Sequence, residues 1–565
     1  MKNNPLAYPA TDPARAPRHA RARGARLLLA FALPLLLGAL LLAACGDDKA
    51  ESQAPATPAL PAATAPTGPF ARFFPNLNKP AAAPVADPLE RFYAAVKEDS
   101  RGDFALDVIQ NAPRYTLDVT LDVISRTLTG SGDVLVTNTS NEPWNRLIFR
   151  LYPNLEQYGG DMLVQNIALD GRPTTFTYED ENTSLRVLLP KPLLPGDSVS
   201  VRIHWSLLYP TYVDDHSVYV LFGRSQQMTS LPLFYPSLAV FTDGASMGTG
   251  AWWRDIGTIR GDAAFDPIAL FSVNAVLPSN LVPVTSGTEV VTTSVSATQT
   301  QYTWVSGPAR EFMMHLSPLF EQATEEAFGT RVTSYWLPGE ESAGRAALRY
   351  GVASLRAYSD MFGMYPLRDM RIAPAPLGFR GMEYPAAMLL GVDLYNVQKV
   401  NLEFLVAHEM AHQWWYQVVH NDPVNTPWLD EGLAEYSVKL YTEAMNGTGK
   451  ADLLQYQRWE TPLETLKARG NDVAVSGPVD SFKNGTQYEA IVYGKGALFF
   501  DALRVDLGER EFRRFLQTYL VGHKYGIVNE DDFLAALHVL GKPELIRLYR
   551  EWVGEHLLQA ANARN

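Results

Sequence analysis

Between Leu402 and Trp415 the chain runs Leu-Glu-Phe-Leu-Val-Ala-His-Glu-Met-Ala-His-Gln-Trp-Trp, with neither glycine nor proline to interrupt it. An apolar, breaker-free run of this kind predicts a buried helix, placed at about 399–420. On a helix His408 and His412 stand four residues apart and project from one face, so two imidazoles can grip one metal ion. Glu409 follows the first histidine directly. It is close enough to reach a metal-bound water and rotated too far to bind the metal comfortably, which is the arrangement of a general base in metal-assisted hydrolysis.

The rest of the ligand set follows from what the chain lacks. Its single cysteine, Cys45, excludes an intrachain disulfide, a thiolate zinc site and a CxxC redox pair, so a metal site must use histidine and carboxylate. A zinc hydrolase needs three protein ligands and an open fourth position for water. After His412 a loop, Asn421 to Pro427, leads to a second helical stretch, Trp428-Leu429-Asp430-Glu431-Gly432-Leu433-Ala434-Glu435-Tyr436. A helix, a tight turn and an antiparallel helix would bring Glu431 alongside the histidines. The expected site is therefore His408, His412 and Glu431 holding one Zn(2+) per chain, although geometry alone leaves other divalent ions open. Glu435, one turn beyond Glu431, is expected either to accept a hydrogen bond from a ligand histidine and fix its orientation, or to be a solvated glutamate.

The chain around this site changes character along its length. Residues 104–320 are short, β-branched and alternating, as in Tyr115 to Leu121 and Ser198 to Ile203, with turn clusters such as Pro195-Gly196-Asp197 between them. That predicts an all-β domain. Its histidines, His204, His216 and His315, have no partner at ligand spacing and read as structural or surface groups. From about 340 helical segments take over (342–362, 399–420, 431–446, 451–469, 488–507, 510–520, 530–540, 543–558), with a strand-and-loop stretch from Met370 to Leu390. The fold class is multidomain α+β, an N-terminal β domain over 89–322 followed by a mainly helical domain with a small sheet over 323–565.

The N-terminus reads differently. A basic region ending at Arg26 precedes an apolar run from Leu27 to Ala44, the pattern of an export signal over residues 1–45. Leu42-Ala43-Ala44-Cys45 resembles a bacterial lipobox, which implies cleavage before Cys45 and lipidation of its thiol. An uncleaved anchor is the alternative, since 18 apolar residues are borderline for a bilayer span. Either reading puts the body in the cell envelope, tethered to a membrane and facing the periplasm or the exterior. Residues 46–88, rich in Ala and Pro, cannot bury enough surface to fold and read as an extended spacer. The net charge is -13, and the first 44 residues carry six basic groups against one acid, so the remainder is more acidic still. Nucleic acid is excluded as a partner on that balance.

At this point the motifs carry a family resemblance. H-E-M-A-H-Q-W-W, eighteen residues, then W-L-D-E-G-L-A-E-Y resembles the zinc aminopeptidases of the aminopeptidase N family, within the wider gluzincin group. Gly381-Met382-Glu383-Tyr384 stands where that family has G-x-M-E-N, and Tyr493-Gly494-Lys495-Gly496 where it has Y-x-K-G. The resemblance implies that Gly381, Met382 and Glu383 bind substrate, Glu383 through the free α-amine of a peptide. It also implies that Tyr493 stabilises the oxyanion, where spacing alone would make it a core tyrosine. The β region resembles the family's saddle-like N-terminal domain, closed by Gly307 to Phe312, and residues 325–560 resemble its thermolysin-like catalytic domain. Three positions depart from the pattern: Tyr384 replaces an asparagine, Asp430 replaces an asparagine, and Tyr416 stands where a glycine commonly follows. The family's large C-terminal helical domain is not matched, which implies a more open cleft.

The resulting expectation is a zinc aminopeptidase acting on peptides with a free N-terminus, Glu409 and Tyr493 doing the chemistry. A thermolysin-type zinc endopeptidase shares the metal ligands without needing Glu383. A tethered binding protein on an inactive peptidase fold is a third reading, against which stands the presence of every ligand, the base and Tyr493.

Overall fold

Over Thr127–Thr137 every second residue is buried, the pattern of a strand with one face on a core. It sits in the middle of an eight-stranded sheet whose order is 288–294, 299–305, 270–278, 114–122, 127–137, 198–208, 161–169, 172–174. One pair, Arg114–Asp122 with Leu270–Pro278, is parallel, with Leu117 opposite Val273. Two four-stranded sheets and a short two-stranded ribbon complete the β region. His315 lies inside it, its ring nitrogens 2.8 Å from Ser230 Oγ and 2.9 Å from the carbonyl of Pro374, a structural histidine. His204 is half-buried on a strand of the large sheet.

The computed structural model describes residues 89–212, 222–244, 246, 248–256, 260–378, 380–397 and 399–554. The export segment 1–45 with Cys45, the spacer 46–88 and His216 lie outside the described residues. Among the described residues no helix is long and apolar enough to cross a membrane.

A five-stranded mixed sheet stands between the β region and the helices, in the order Glu321–Ala327, Thr330–Trp336, Asp369–Ala375, Ala387–Gly391, Gly381–Tyr384. Side-chain alternation divides it between two cores. Met370, Ile372, Met388 and Leu390 pack with the helices, whereas Ala373, Ala375, Met382, Tyr384, Ala387 and Leu389 pack with the β region. Met382 and Tyr384 thus turn away from the helices. Gly381 and Glu383, on the opposite face of the same edge strand, turn toward them. Arg310, in the segment closing the β region, ties the two halves: it is buried and donates to the carbonyls of Gln417, Val418 and Gly526.

The helices differ from the periodic reading at three internal points, and the last one, Pro543–Trp552, ends before 558. The motif helix is Leu402–Ala411 with His412 at its C-cap, and does not continue to 420. Residues 413–420 fold back in turns, with Trp415 bridged to Val419 and Tyr416 at φ 136°. No glycine or proline marks that stop. The 451–469 stretch is Thr448–Gln455 and Thr461–Ala468 joined by a π-turn, Tyr456–Glu460, just before Pro462, which has no N–H for a regular ladder. The 488–507 stretch likewise opens with a π-turn, Glu489–Lys495, before the helix Gly496–Leu507. Single π-turns inside helices are frequent at functional sites.

Candidate active site

His408 and Glu409 sit in the last turn of the motif helix and His412 at its cap; all three are buried. The helix Trp428–Asn446 carries Glu431 in its first turn, where the helix dipole favours a negative charge. That helix crosses Gly496–Leu507 at very short range, since a Cβ on Gly496 would lie 3.3 Å from the Cα of Gly432. The close approach of these backbones lets Tyr493 reach Glu431.

Three donor atoms converge. Nε2 of His408 is 3.2 Å from Oε2 of Glu431 and 3.3 Å from Nε2 of His412, which is 3.4 Å from the same glutamate oxygen. Ligands held about 2.0–2.1 Å from a shared ion at tetrahedral angles stand about 3.4 Å apart, so this triangle fits a zinc ion. The far side of each ring agrees. His412 Nδ1 lies 2.9 Å from the carbonyl of Trp415, which can only accept, so Nδ1 is the donor and Nε2 offers its lone pair. His408 Nδ1 lies 3.3 Å from Oε2 of Glu435. Glu435 is fully buried and is itself held, Oε1 accepting from Trp459 Nε1 at 2.7 Å and Arg458 Nε at 3.0 Å. Burial would push its carboxyl up, but Arg458 and the contacts with His408 and Trp459 hold it at about 2. Among the two expectations for Glu435, solvation is not what the geometry shows.

Glu409 faces the same space. Burial pushes its carboxyl up to about 7, against the pull of His408 and His412. Gly381 lies directly over it. Tyr493 donates its hydroxyl to Oε1 of Glu431 and stacks on His408 at 5.8 Å between centroids. Burial and the Glu431 charge push the phenol well above its ordinary range, so it remains a donor.

Glu383 is buried on the edge strand, and its Oε1 has no hydrogen-bond partner. A residue that sequence reasoning missed acts on it electrostatically: Asp262, from the irregular segment 260–269 of the β region. The Asp262 carboxyl is itself pushed up to about 6 by burial and by Glu431. Burial, then Asp262 and Glu409, push Glu383 well above the carboxylate range. Glu383, Glu409 and His412 also bring ligand atoms within 4.8 Å of one another. The site thus holds the metal triangle and, beside it, a pocket of carboxylates short of cations. Gly381 and Met382 enter it through backbone only, since Met382 packs in the β-side core. Asp430 accepts from the amide of Glu431 at 2.8 Å and so pins the first turn that carries this candidate ligand. Arg458, Trp459 and the Trp415 carbonyl were also missed; only the fold brings them to the metal set.

Residues 348–552 match the family described as Peptidase family M1 domain. Aminopeptidase M1-C of Oryza sativa subsp. japonica is 28% identical over 243 residues, 38% of this chain and 26% of that protein. Probable aminopeptidase 2 of Sulfurisphaera tokodaii is 28% identical over 253 residues, 41% of this chain and 31% of its own length. The matched stretches thus span about a quarter to a third of those relatives. Among solved structures, the M1 zinc metallopeptidase from Deinococcus radiodurans superposes with a TM-score of 0.57 at 20% identity, covering 79% of this chain and 94% of that one. A substituted form of that metallopeptidase, bound to a Tyr-Ser-Ala substrate, superposes with a TM-score of 0.56. At such identity the likeness is one of fold: an N-terminal β-rich domain followed by a helical region.

Proposed function

We propose that this chain is a zinc-dependent aminopeptidase of the M1 type, removing N-terminal residues from peptides. The observation that carries the reading is the buried, unpartnered carboxylate oxygen of Glu383, set beside Glu409 and His412 of the metal triangle. A buried acidic pocket of this kind is costly without a cation, and the ammonium of a peptide N-terminus is the cation that a peptidase substrate brings.

A zinc ion held by His408, His412 and Glu431 would supply Lewis-acid polarisation of the scissile carbonyl and a lowered pKa for water. Glu383 and Asp262 hold the substrate's ammonium and so select the first peptide bond. Glu409 takes the proton of the attacking water and passes it to the leaving amine, a role that suits a carboxyl near neutrality. Tyr493 donates its hydroxyl to the oxygen that gains charge. Glu435, braced by Arg458 and Trp459, orients the His408 ring.

The test uses purified protein with amino-acyl anilides and with one peptide in free and N-acetylated forms. Activity lost to a chelator, restored by zinc and absent on the acetylated peptide supports the reading; equal cleavage of both peptides makes the chain an endopeptidase instead. Glu409→Ala should lower kcat by ~10²–10⁴. We also propose an envelope location with the membrane reached through Cys45, supported by the basic and apolar pattern of residues 2–45. Cys45→Ser should then release the protein from the membrane fraction.

A further inference from the structure

Gln417 stands in the turn behind the metal triangle, where the chain folds back after the motif helix. The turn is pinned on both sides of it: Tyr416 N donates to Val419 O at 2.8 Å, and Tyr525 N to Val418 O at 2.6 Å. Gln417 itself bonds to three parts of the molecule. Its amide donates to His412 O at 3.0 Å. Its carbonyl accepts from Nε of Arg310, in the segment closing the β region, at 3.2 Å. Its side-chain Nε2 donates to the backbone oxygen of Glu383 at 3.2 Å. A carbonyl can only accept, so the nitrogen of the side-chain amide must be the atom facing Glu383. One residue thus joins a candidate metal ligand, the β region and the strand that carries the amine-pocket carboxylate.

The strand Gly381–Tyr384 lies at the end of its sheet and pairs on one side, with Glu383 opposite Met388. An edge strand leaves backbone groups outside the ladder, and buried ones must find other partners. Two glutamines four residues apart supply them. Gln413 Nε2 donates to Tyr384 O at 3.0 Å, while its Oε1 accepts from Ala386 N at 3.1 Å and from the Tyr365 hydroxyl at 3.3 Å. Gln413 therefore fixes the hairpin turn, and Gln417 the residue that bears the carboxylate. The two also differ in how well they are satisfied. Gln417 is buried, yet its Oε1 has no hydrogen-bond partner. An unpaired buried acceptor costs stability, so this amide is held in place by what its nitrogen donates.

We infer that Gln417 is a positioning residue for the terminal amine, its side chain setting the Glu383 carboxylate at its distance from the metal triangle. The inference rests on the amine-pocket reading above. Ligand atoms of Glu383, Glu409 and His412 lie within 4.8 Å of one another, so the ammonium and the scissile carbonyl must be gripped by groups fixed to one another. A small shift of the edge strand would spoil that fit. The bond from Gln417 opposes such a shift, because its other end is tied to the backbone of His412.

The experiment compares wild type with Gln417→Met, which keeps the length and removes the donor, and with Gln417→Glu, which keeps the shape and puts an acceptor there. KM for alanine p-nitroanilide should rise about ten-fold in both, with kcat within about two-fold, as for one lost hydrogen bond that serves binding. Two inhibitors then separate positioning from general damage. L-leucinol, which has an ammonium and no scissile bond, should weaken by the same factor. Acetohydroxamate, which binds metal and has no ammonium, should inhibit as in wild type, and zinc content should not change. A purely structural role would lower the melting temperature without separating the two inhibitors. Wild-type inhibition by L-leucinol in both variants, equal weakening of both inhibitors, or loss of zinc from both variants would overturn the inference. If L-leucinol and N-acetyl-L-leucinol inhibit wild type equally, it is the amine-pocket reading that fails, whatever Gln417 does.

Discussion

Gly381 and Glu409 share one space: a Cβ built on Gly381 would lie 1.8 Å from Oε1 of Glu409. The edge strand and the motif helix meet there with nothing but a hydrogen between them, so the Glu409 carboxylate, the base of the proposed mechanism, is positioned by the absence of a side chain. Gly381→Ala must displace either the carboxylate or the strand. We expect kcat/KM on amino-acyl anilides to fall by ~10² or more, as when a positioned general base is lost, with zinc still bound. A Gly381→Ala protein with wild-type turnover would show that Glu409 is not held at the reacting atoms.

Tyr493 and Glu431 make the second close pair, and here the two partners should separate in their effects. Glu431→Gln removes a proposed ligand, so metal content should drop and activity with it. Tyr493→Phe removes only a donor. Its expected loss is ~10²–10³ in kcat with KM little changed, because an oxyanion donor acts mainly on the transition state. Equal losses in kcat and in zinc content for Tyr493→Phe would reassign it to holding Glu431.

How far these groups were visible without coordinates follows from what periodicity encodes. His408, Glu409, His412 and Glu431 lie on two helices, where residue spacing dictates which side chains share a face, so the triangle was readable. The division of the chain into alternating strands and then helices was readable for the same reason. Asp262 lies in an irregular segment between strands, where no period links one residue to the next. Arg458 and Trp459 reach Glu435 from a π-turn, whose extra residue breaks the helical count. The motif helix stops at Ala411 without a glycine or proline, because the chain is turned by tertiary bonds around Tyr416. In each case the missing information lay in contacts between distant segments.

Glu435 gives a prediction that separates bracing from ligation. Its Oε2 faces His408 Nδ1, and its Oε1 is shared by Arg458 and Trp459. Glu435→Gln should weaken zinc affinity by ~10–100-fold, the usual effect of losing a partner behind a ligand histidine, while leaving the stoichiometry at one ion when zinc is in excess. Arg458→Ala should weaken it in the same direction. Unchanged zinc affinity in Glu435→Gln would leave this carboxylate a purely structural role.

Away from the metal, Asp266 links pH to stability. It is buried, accepts from Ser237 Oγ at 2.5 Å, and burial pushes its carboxyl from 3.8 up to about 7 despite Ser237, Tyr152, Arg150 and Arg310. Its folded pKa is therefore raised above the unfolded one. Below about 4 both states hold the proton and the contribution to stability is fully present. As pH rises the unfolded chain releases its proton first, so stability declines until about 7 and is level beyond. The difference corresponds to on the order of 4 kcal/mol for a group this buried. Glu311, buried without a partner and pushed up in the same way, adds a decline of the same sign. Unfolding followed by denaturant between pH 4.5 and 8 should show wild type losing stability and Asp266→Asn losing less. The variant should be the more stable protein at pH 8 and differ little at pH 4.5. Parallel curves for the two would mean that Asp266 is ionised in the folded protein.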